Sequence, residues 1–112
     1  MTDKVVVLSS CGSSEEAEAL ARHLVEQRLA ACVSVVGKAR SFYWWQGKIE
    51  ESGEWMLVIK TARGTVERLR EALSAMHSYQ TPEVIALPIV DGSTAYLEWM
   101  ERELELPKPD PS

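Results

Sequence analysis

The stretch from Ala31 to Ala62 constrains this chain more than any other. It reads as two long strands joined by a tight turn. The first arm runs Ala31-Cys32-Val33-Ser34-Val35-Val36, pauses at Gly37 and continues Ser41-Phe42-Tyr43-Trp44-Trp45. The second starts at Lys48-Ile49, pauses at Gly53 and continues from Glu54 to Thr61. Gln46-Gly47 lies between the arms, and glycine accepts the positive φ that a primed two-residue turn requires. Both arms exceed the usual strand length of about 5–6 residues. Phe42, Tyr43 and three of the chain's four tryptophans (Trp44, Trp45, Trp55) gather at the far end. A small domain cannot easily bury such a ribbon, and an exposed apolar patch of this kind marks an interface. The hairpin therefore predicts an oligomer.

The flanking segments supply the remaining elements. Lys4 to Ser10 is a valine-rich run that reads as a buried central strand. Ser13 and Glu16 match a capping box, in which each side chain takes a free main-chain N–H. Ala17, Leu20, Ala21, Leu24, Val25 and Leu29 then recur at helical spacing. After the hairpin, Gly64-Thr65 opens a second helix with Thr65 as its expected N-cap and Val66, Leu69, Leu73 and Met76 as its stripe. His77 to Pro82 reads as a loop. Glu83 to Val90 reads as a fourth strand, placed at an edge or bulged because Pro88 cannot donate to a ladder. A third helix runs from Thr94 to about Leu104, with Tyr96, Leu97, Met100 and Leu104 facing inward. Gly37 and Gly53 are both candidate bulges.

The order is β-α-β-β-α-β plus a terminal helix. Its compact solution is an α+β, ferredoxin-like βαββαβ antiparallel sheet with helices on one face. The long second-to-third strand hairpin and the extra C-terminal helix are additions to it. Residues 1–106 form one expected domain, and Pro107, Pro109 and Pro111 predict a flexible tail, disordered or extended, at 107–112. The other sheet face needs cover from the third helix or from a neighbouring subunit.

Charge and composition narrow the partners. A net charge of −5 opposes nonspecific nucleic-acid binding and adhesion to anionic membranes. No apolar run approaches a membrane span, and no secretory signal is visible. Cys11 and Cys32 are the only cysteines and show no disulfide framework, so a cytoplasmic location with reduced thiols is expected.

In this order and spacing, the pieces resemble the CutA divalent-cation tolerance family. The resembling residues are Leu29-Ala30-Ala31-Cys32-Val33, Ser41-Phe42-Tyr43-Trp44-Trp45-Gln46-Gly47-Lys48, Lys60-Thr61, His77 to Glu83, and Tyr96-Leu97-Glu98-Trp99. The resemblance implies the ferredoxin-like fold and a homotrimer joined through the 31–62 hairpin. It also implies a link to metal tolerance, binding of copper or another divalent ion, and kinship with trimeric PII-type signalling proteins. Two departures stand out. Family members often carry His-Pro-Tyr where this chain has His77-Ser78-Tyr79. Some place a cysteine directly after the first strand's apolar run, where this chain has Ser9, with Cys11 two residues on.

Several residues could carry chemistry. Cys11 and His77 offer a thiolate and an imidazole suited to copper or zinc, with Glu83 a further metal ligand. The plainer alternative is that Cys11 fills space and His77 caps the second helix. Lys60 and Tyr79 are candidate ligand-binding groups, set against a structural Lys60–Glu83 salt bridge. Cys32 reads as an inert strand cysteine, and the tryptophans read as interface packing rather than as a base-stacking platform. The run Glu98, Glu101, Glu103, Glu105 reads as a solvated face. No catalytic motif appears. The expectation is a cytoplasmic homotrimer that binds a divalent metal, copper first, and is not an enzyme. The alternatives are a PII-like module that binds a small anion at subunit clefts, or a protein-anchoring scaffold.

Overall fold

Alternation along the first strand sets the core. In the computed structural model, which describes residues 2–104, β1 (Lys4–Cys11) buries Val5, Val7, Ser9 and Cys11 on one face. The tail expected at 107–112, and residues 105–106 before it, lie outside the described residues. The antiparallel sheet has the order β2-β3-β1-β4, so β1 is central as expected. Its register with β3 (Lys48–Ala62) runs from Lys4 opposite Ala62 to Cys11 opposite Trp55.

Helix α1 (Ser14–Glu26) starts at Ser13, whose hydroxyl accepts the Glu16 N–H at 3.2 Å. It packs Ala17, Leu20 and Leu24 onto the sheet. Arg28 closes the helix at φ 58°, while the Leu29 N–H returns to the Leu24 carbonyl at 2.9 Å. Helix α2 (Val66–Met76) adds Leu69 and Leu73 to the same layer. Thr65 is not its side-chain cap. Thr65 sits in a 3-10 turn (Arg63–Thr65) with helical φ/ψ of −98° and −16°, and its hydroxyl makes no cap bond. Met76, at the last helical position, is exposed rather than part of the stripe.

β2 (Cys32–Trp45) and β3 form one continuous hairpin from Cys32–Lys60 to Trp45–Lys48. Gln46 and Gly47 both have positive φ, 48° and 78°, as a primed turn demands. The register shifts once, between Val36 and Ala39, beside Gly37. Gly53 is not a bulge: it stays in register opposite Arg40. Each glycine instead admits a neighbour. A Cβ at Gly37 would lie 1.9 Å from the Trp55 ring, and one at Gly53 would lie 2.2 Å from Cε of Lys38.

β4 (Ile85–Pro88) is shorter than the 83–90 expected and occupies the edge that Pro88 requires. Helix α3 (Thr94–Leu104) covers part of the opposite sheet face, where Met100 is fully buried. Lys4 anchors it: its side chain, 6% exposed, contacts Asp3 and Glu101, each at 2.5 Å. Burial alone would lower the Lys4 pKa, but the two carboxylates outweigh it and hold the ammonium above its ordinary value. Tyr96 is exposed rather than inward, with its hydroxyl over Lys60. The acidic helix face is not merely solvated, since Glu101 meets Lys4 and Glu103 meets Arg28.

The rest of that sheet face is open. Val36, Ile85 and Leu87 are exposed there, and at the hairpin tip Phe42, Trp44 and Ile49 are 60%, 72% and 65% exposed. The molecule measures 57 × 33 × 20 Å. Its radius of gyration of 15.5 Å exceeds the about 13 Å of a compact 100-residue domain because the hairpin projects.

The two glycines make a paired test. Gly37→Ala should cost about 1–3 kcal/mol, because a fused ring must leave its place. Gly53→Ala should stay within about 0.5 kcal/mol, because only a flexible lysine tip must move. Urea unfolding of both variants measures this, and equal costs would contradict the packing.

Candidate functional site

β1 is longer than its neighbour. β4 pairs only with Val5 to Leu8, so the end of β1 needs other partners for its main chain. His77 provides one. It is the C-cap residue of α2, where its own N–H bonds to Leu73 and its backbone turns extended. Its ring is 0% exposed, and Nε2 lies 2.7 Å from the Ser10 carbonyl oxygen. The Tyr79 N–H donates to Nδ1 at 3.0 Å. Nδ1 is thus the acceptor, which leaves the proton on Nε2 to be donated to Ser10. Both ring nitrogens are occupied.

The loop that follows is held from the other side by Glu16. Its carboxylate accepts the Ser78 N–H at 2.8 Å and the Ser78 hydroxyl at 3.0 Å. The reciprocal arm of the capping box is thus turned toward the loop. Burial would raise the Glu16 pKa, but the two Ser78 bonds, the His77 ring and the Gly12 N–H hold it below its ordinary value. A proline at position 78 could donate neither bond, so serine here replaces ring rigidity with an ionic latch.

Tyr79 reaches the hairpin. Its hydroxyl donates to Glu54 at 3.3 Å, and the Ser10 hydroxyl donates to the same carboxylate oxygen at 3.0 Å. Burial and the nearby Glu54 charge raise the Tyr79 pKa, so the phenol stays protonated. Beyond this contact lies a cleft of about 730 Å³ between the hairpin and the 79–81 loop. Tyr43, Trp45, Glu50, Ser52 and Glu54 line one wall, and Tyr79, Gln80 and Thr81 the other.

The expected site residues divide. β1 continues through Cys11, so Ser9 and Cys11 share the helix-covered face, both at 0% exposure. The Cys11 thiol points to the carbonyls of Ser13 at 3.6 Å and Trp55 at 3.9 Å. Burial first, then the Glu16 charge, raises its pKa. Among the described residues Ser9 Oγ has no hydrogen-bond partner. His77 and Tyr79 belong to the same strand-end cluster. Lys60 does not: it opposes Val6 and Cys32 in the sheet and bonds to Tyr96 at 3.3 Å. The expected Lys60–Glu83 bridge is not formed among the described residues. Glu83 is exposed in the approach to β4, and Lys60 turns to the π face of Tyr96, 5.4 Å from the ring centre. Cys32 is half-buried opposite Lys60.

Sequence reading missed Glu54, Glu50 and Glu16. Glu54 and Glu50 alternate on the β3 face shared with Met56 and Lys60, and that period of two was the available signal. Glu16 was assigned to its own helix, because no local pattern predicts a bond to a residue 62 positions away.

Protonating Glu16 should free the loop. A folded-state value below 4.5 means that its stabilisation is complete above about pH 4.5 and is lost as pH falls through the lowered value. Protection of the Ser78 amide, the factor by which its exchange is slowed relative to an unprotected amide at the same pH, should fall at the acid end when followed from pH 7 to 3. In Glu16→Gln protection should be low throughout. Protection that does not change with acid in the unaltered chain would contradict the latch.

Comparison with known proteins agrees with this architecture. The family model described as CutA1 divalent ion tolerance protein matches residues 5–103. The divalent-cation tolerance protein CutA of Thermus thermophilus is 44% identical over 95 residues, 85% of this chain and 92% of the relative. The crystal structure of CutA from Xylella fastidiosa superposes with a TM-score of 0.90 at 40% identity, covering 93% of this chain and 100% of that one. An Archaeoglobus fulgidus structure, described as a periplasmic divalent cation tolerance protein, gives 0.88 at 38% identity over 91% and 99%. A four-stranded sheet in this order, with a tip-heavy hairpin and a match over nearly every described residue, settles the family: the chain belongs to the CutA1 divalent ion tolerance proteins.

Proposed function

We propose that this protein is a cytoplasmic homotrimer that binds divalent cations, with copper one candidate, and contributes to metal tolerance without being an enzyme. The observation that carries the cation reading is the cleft. Glu50 and Glu54 line it, and among the described residues no lysine, arginine or histidine does. Carboxylates and a phenol are hard oxygen donors that suit a divalent ion. Among the described residues no group of three or more His, Cys, Asp and Glu side chains is arranged to hold a metal. Water or a neighbouring subunit would complete the coordination.

A softer donor set lies at the end of β1. Cys11 and His77 suit copper, but not as they stand. The thiol is buried with a raised pKa, and both His77 nitrogens are hydrogen-bonded. Copper there would have to remove the thiol proton and take one nitrogen from Tyr79 or Ser10. Glu83 is exposed before β4.

The trimer reading is supported by the uncovered apolar face and by the projecting hairpin. The PII-like alternative needs an anion site, which the cleft's carboxylates oppose, and Lys60 already faces Tyr96. No helix is long and apolar enough to cross a membrane among the described residues.

Titration with Cu²⁺ and Zn²⁺ against a competing chelator tests the site. The chain, Glu54→Gln, Cys11→Ser and His77→Ala would be compared after sedimentation shows the same trimer for each. Saturation at one ion per subunit, weakened at least tenfold by Glu54→Gln, is the expected result. Loss in Cys11→Ser or His77→Ala instead would place copper on the thiol and imidazole. Non-saturating binding in all four would end the metal-site reading. Replacing Leu87 with Glu on the open face should lower the sedimenting mass, and an unchanged mass would remove that face from the trimer contact.

A further inference from the structure

The cleft is larger and more aromatic than a metal ion needs. Its volume of about 730 Å³ falls within the roughly 300–1,000 Å³ of pockets that take organic molecules. Tyr43 and Trp45 lie two apart on β2 and so share a sheet face, and Glu50 stands directly opposite Tyr43. Glu54 and Tyr79 close the inner end. Lys48, opposite Trp45 at the turn, is exposed and does not line the cavity.

Carboxylates attract any cation, but the aromatic walls discriminate. A hydrated metal ion gains little from ring surface. An alkylammonium group gains from both, because its charge is spread over methyl groups that lose little hydration against a π face. We propose that this cleft binds an organic cation, an amine or quaternary ammonium head, between Tyr43 and Trp45 with its charge toward Glu50 and Glu54. The proposal deepens the cation reading above and rests on the same acidic cleft.

The test uses the assembled full-length protein and two probes, tetramethylammonium chloride and MnCl₂, with NaCl at matched ionic strength as the baseline. Indole N–H and loop amide signals are followed by NMR. The expected result is a saturable shift of the Trp45 indole with tetramethylammonium. It should weaken about fivefold in Trp45→Ala and about tenfold in Glu54→Gln. Glu50→Gln, on the exposed rim, should also weaken it and cannot disturb the Ser10 and Tyr79 bonds. No response beyond NaCl, or a response in all three variants equal to that of the unaltered protein, would overturn the proposal. Saturable Mn²⁺ broadening without a tetramethylammonium response overturns it while leaving the divalent-cation reading intact. The reverse pattern upholds it and sinks that reading. A cleft filled by a neighbouring subunit would answer neither probe and would overturn both.

Discussion

A central strand longer than its neighbour must satisfy main-chain groups that no strand reaches, and much of this molecule's candidate site follows from that constraint. β1 has eight residues and β4 has four, so Ser10 lies beyond the ladder between them. The buried His77 ring takes the Ser10 carbonyl, and an unmet carbonyl there would cost about 1–3 kcal/mol. That bond fixes the ring, the ring takes the Tyr79 N–H, and Tyr79 is thereby aimed at Glu54. Glu16 secures the same loop through Ser78. One unpaired strand end thus organises an imidazole, a phenol and two carboxylates from three separate segments.

Charge is distributed so that the cleft keeps its negative character. Lys4 is spent on Asp3 and Glu101, and Arg28 on Glu103. Arg40 pairs with Glu51 on the hairpin face away from the cleft, and Lys60 lies over Tyr96. These pairs dock α3 and stiffen the hairpin while leaving Glu50 and Glu54 without a cationic partner in the cavity among the described residues. The same arrangement explains why an anion-binding role built on Lys60 and Tyr79 loses support. The two side chains belong to different neighbourhoods, one under α3 and the other at the end of β1.

Cys11 illustrates how a motif changes meaning in three dimensions. Two residues along a continuing strand return to the same face, so Cys11 keeps the face of Ser9. That face is covered by helices, and the thiol is therefore protonated and directed at carbonyls. The hairpin tryptophans divide in the same way. Trp45 joins Tyr43 on the cleft side, and Trp44 joins Phe42 and Ile49 on the other. Alternation made this division legible in advance, but not which side would carry a cavity.

The order of elements, the ferredoxin-like arrangement, the primed turn at Gln46-Gly47 and the edge position of Pro88 were determined by the sequence itself. Each rests on local physics: periodicity of two or 3.6, tolerance of positive φ, and a missing N–H. The Lys60–Tyr96 contact, the Glu16–Ser78 latch, the in-register Gly53 and the acidic wall of Glu50 and Glu54 were decided only by tertiary structure. These depend on which distant segment arrives beside a given side chain. A carboxylate bonds whichever donor is brought near it, so its partner is set by packing and not by its neighbours along the chain.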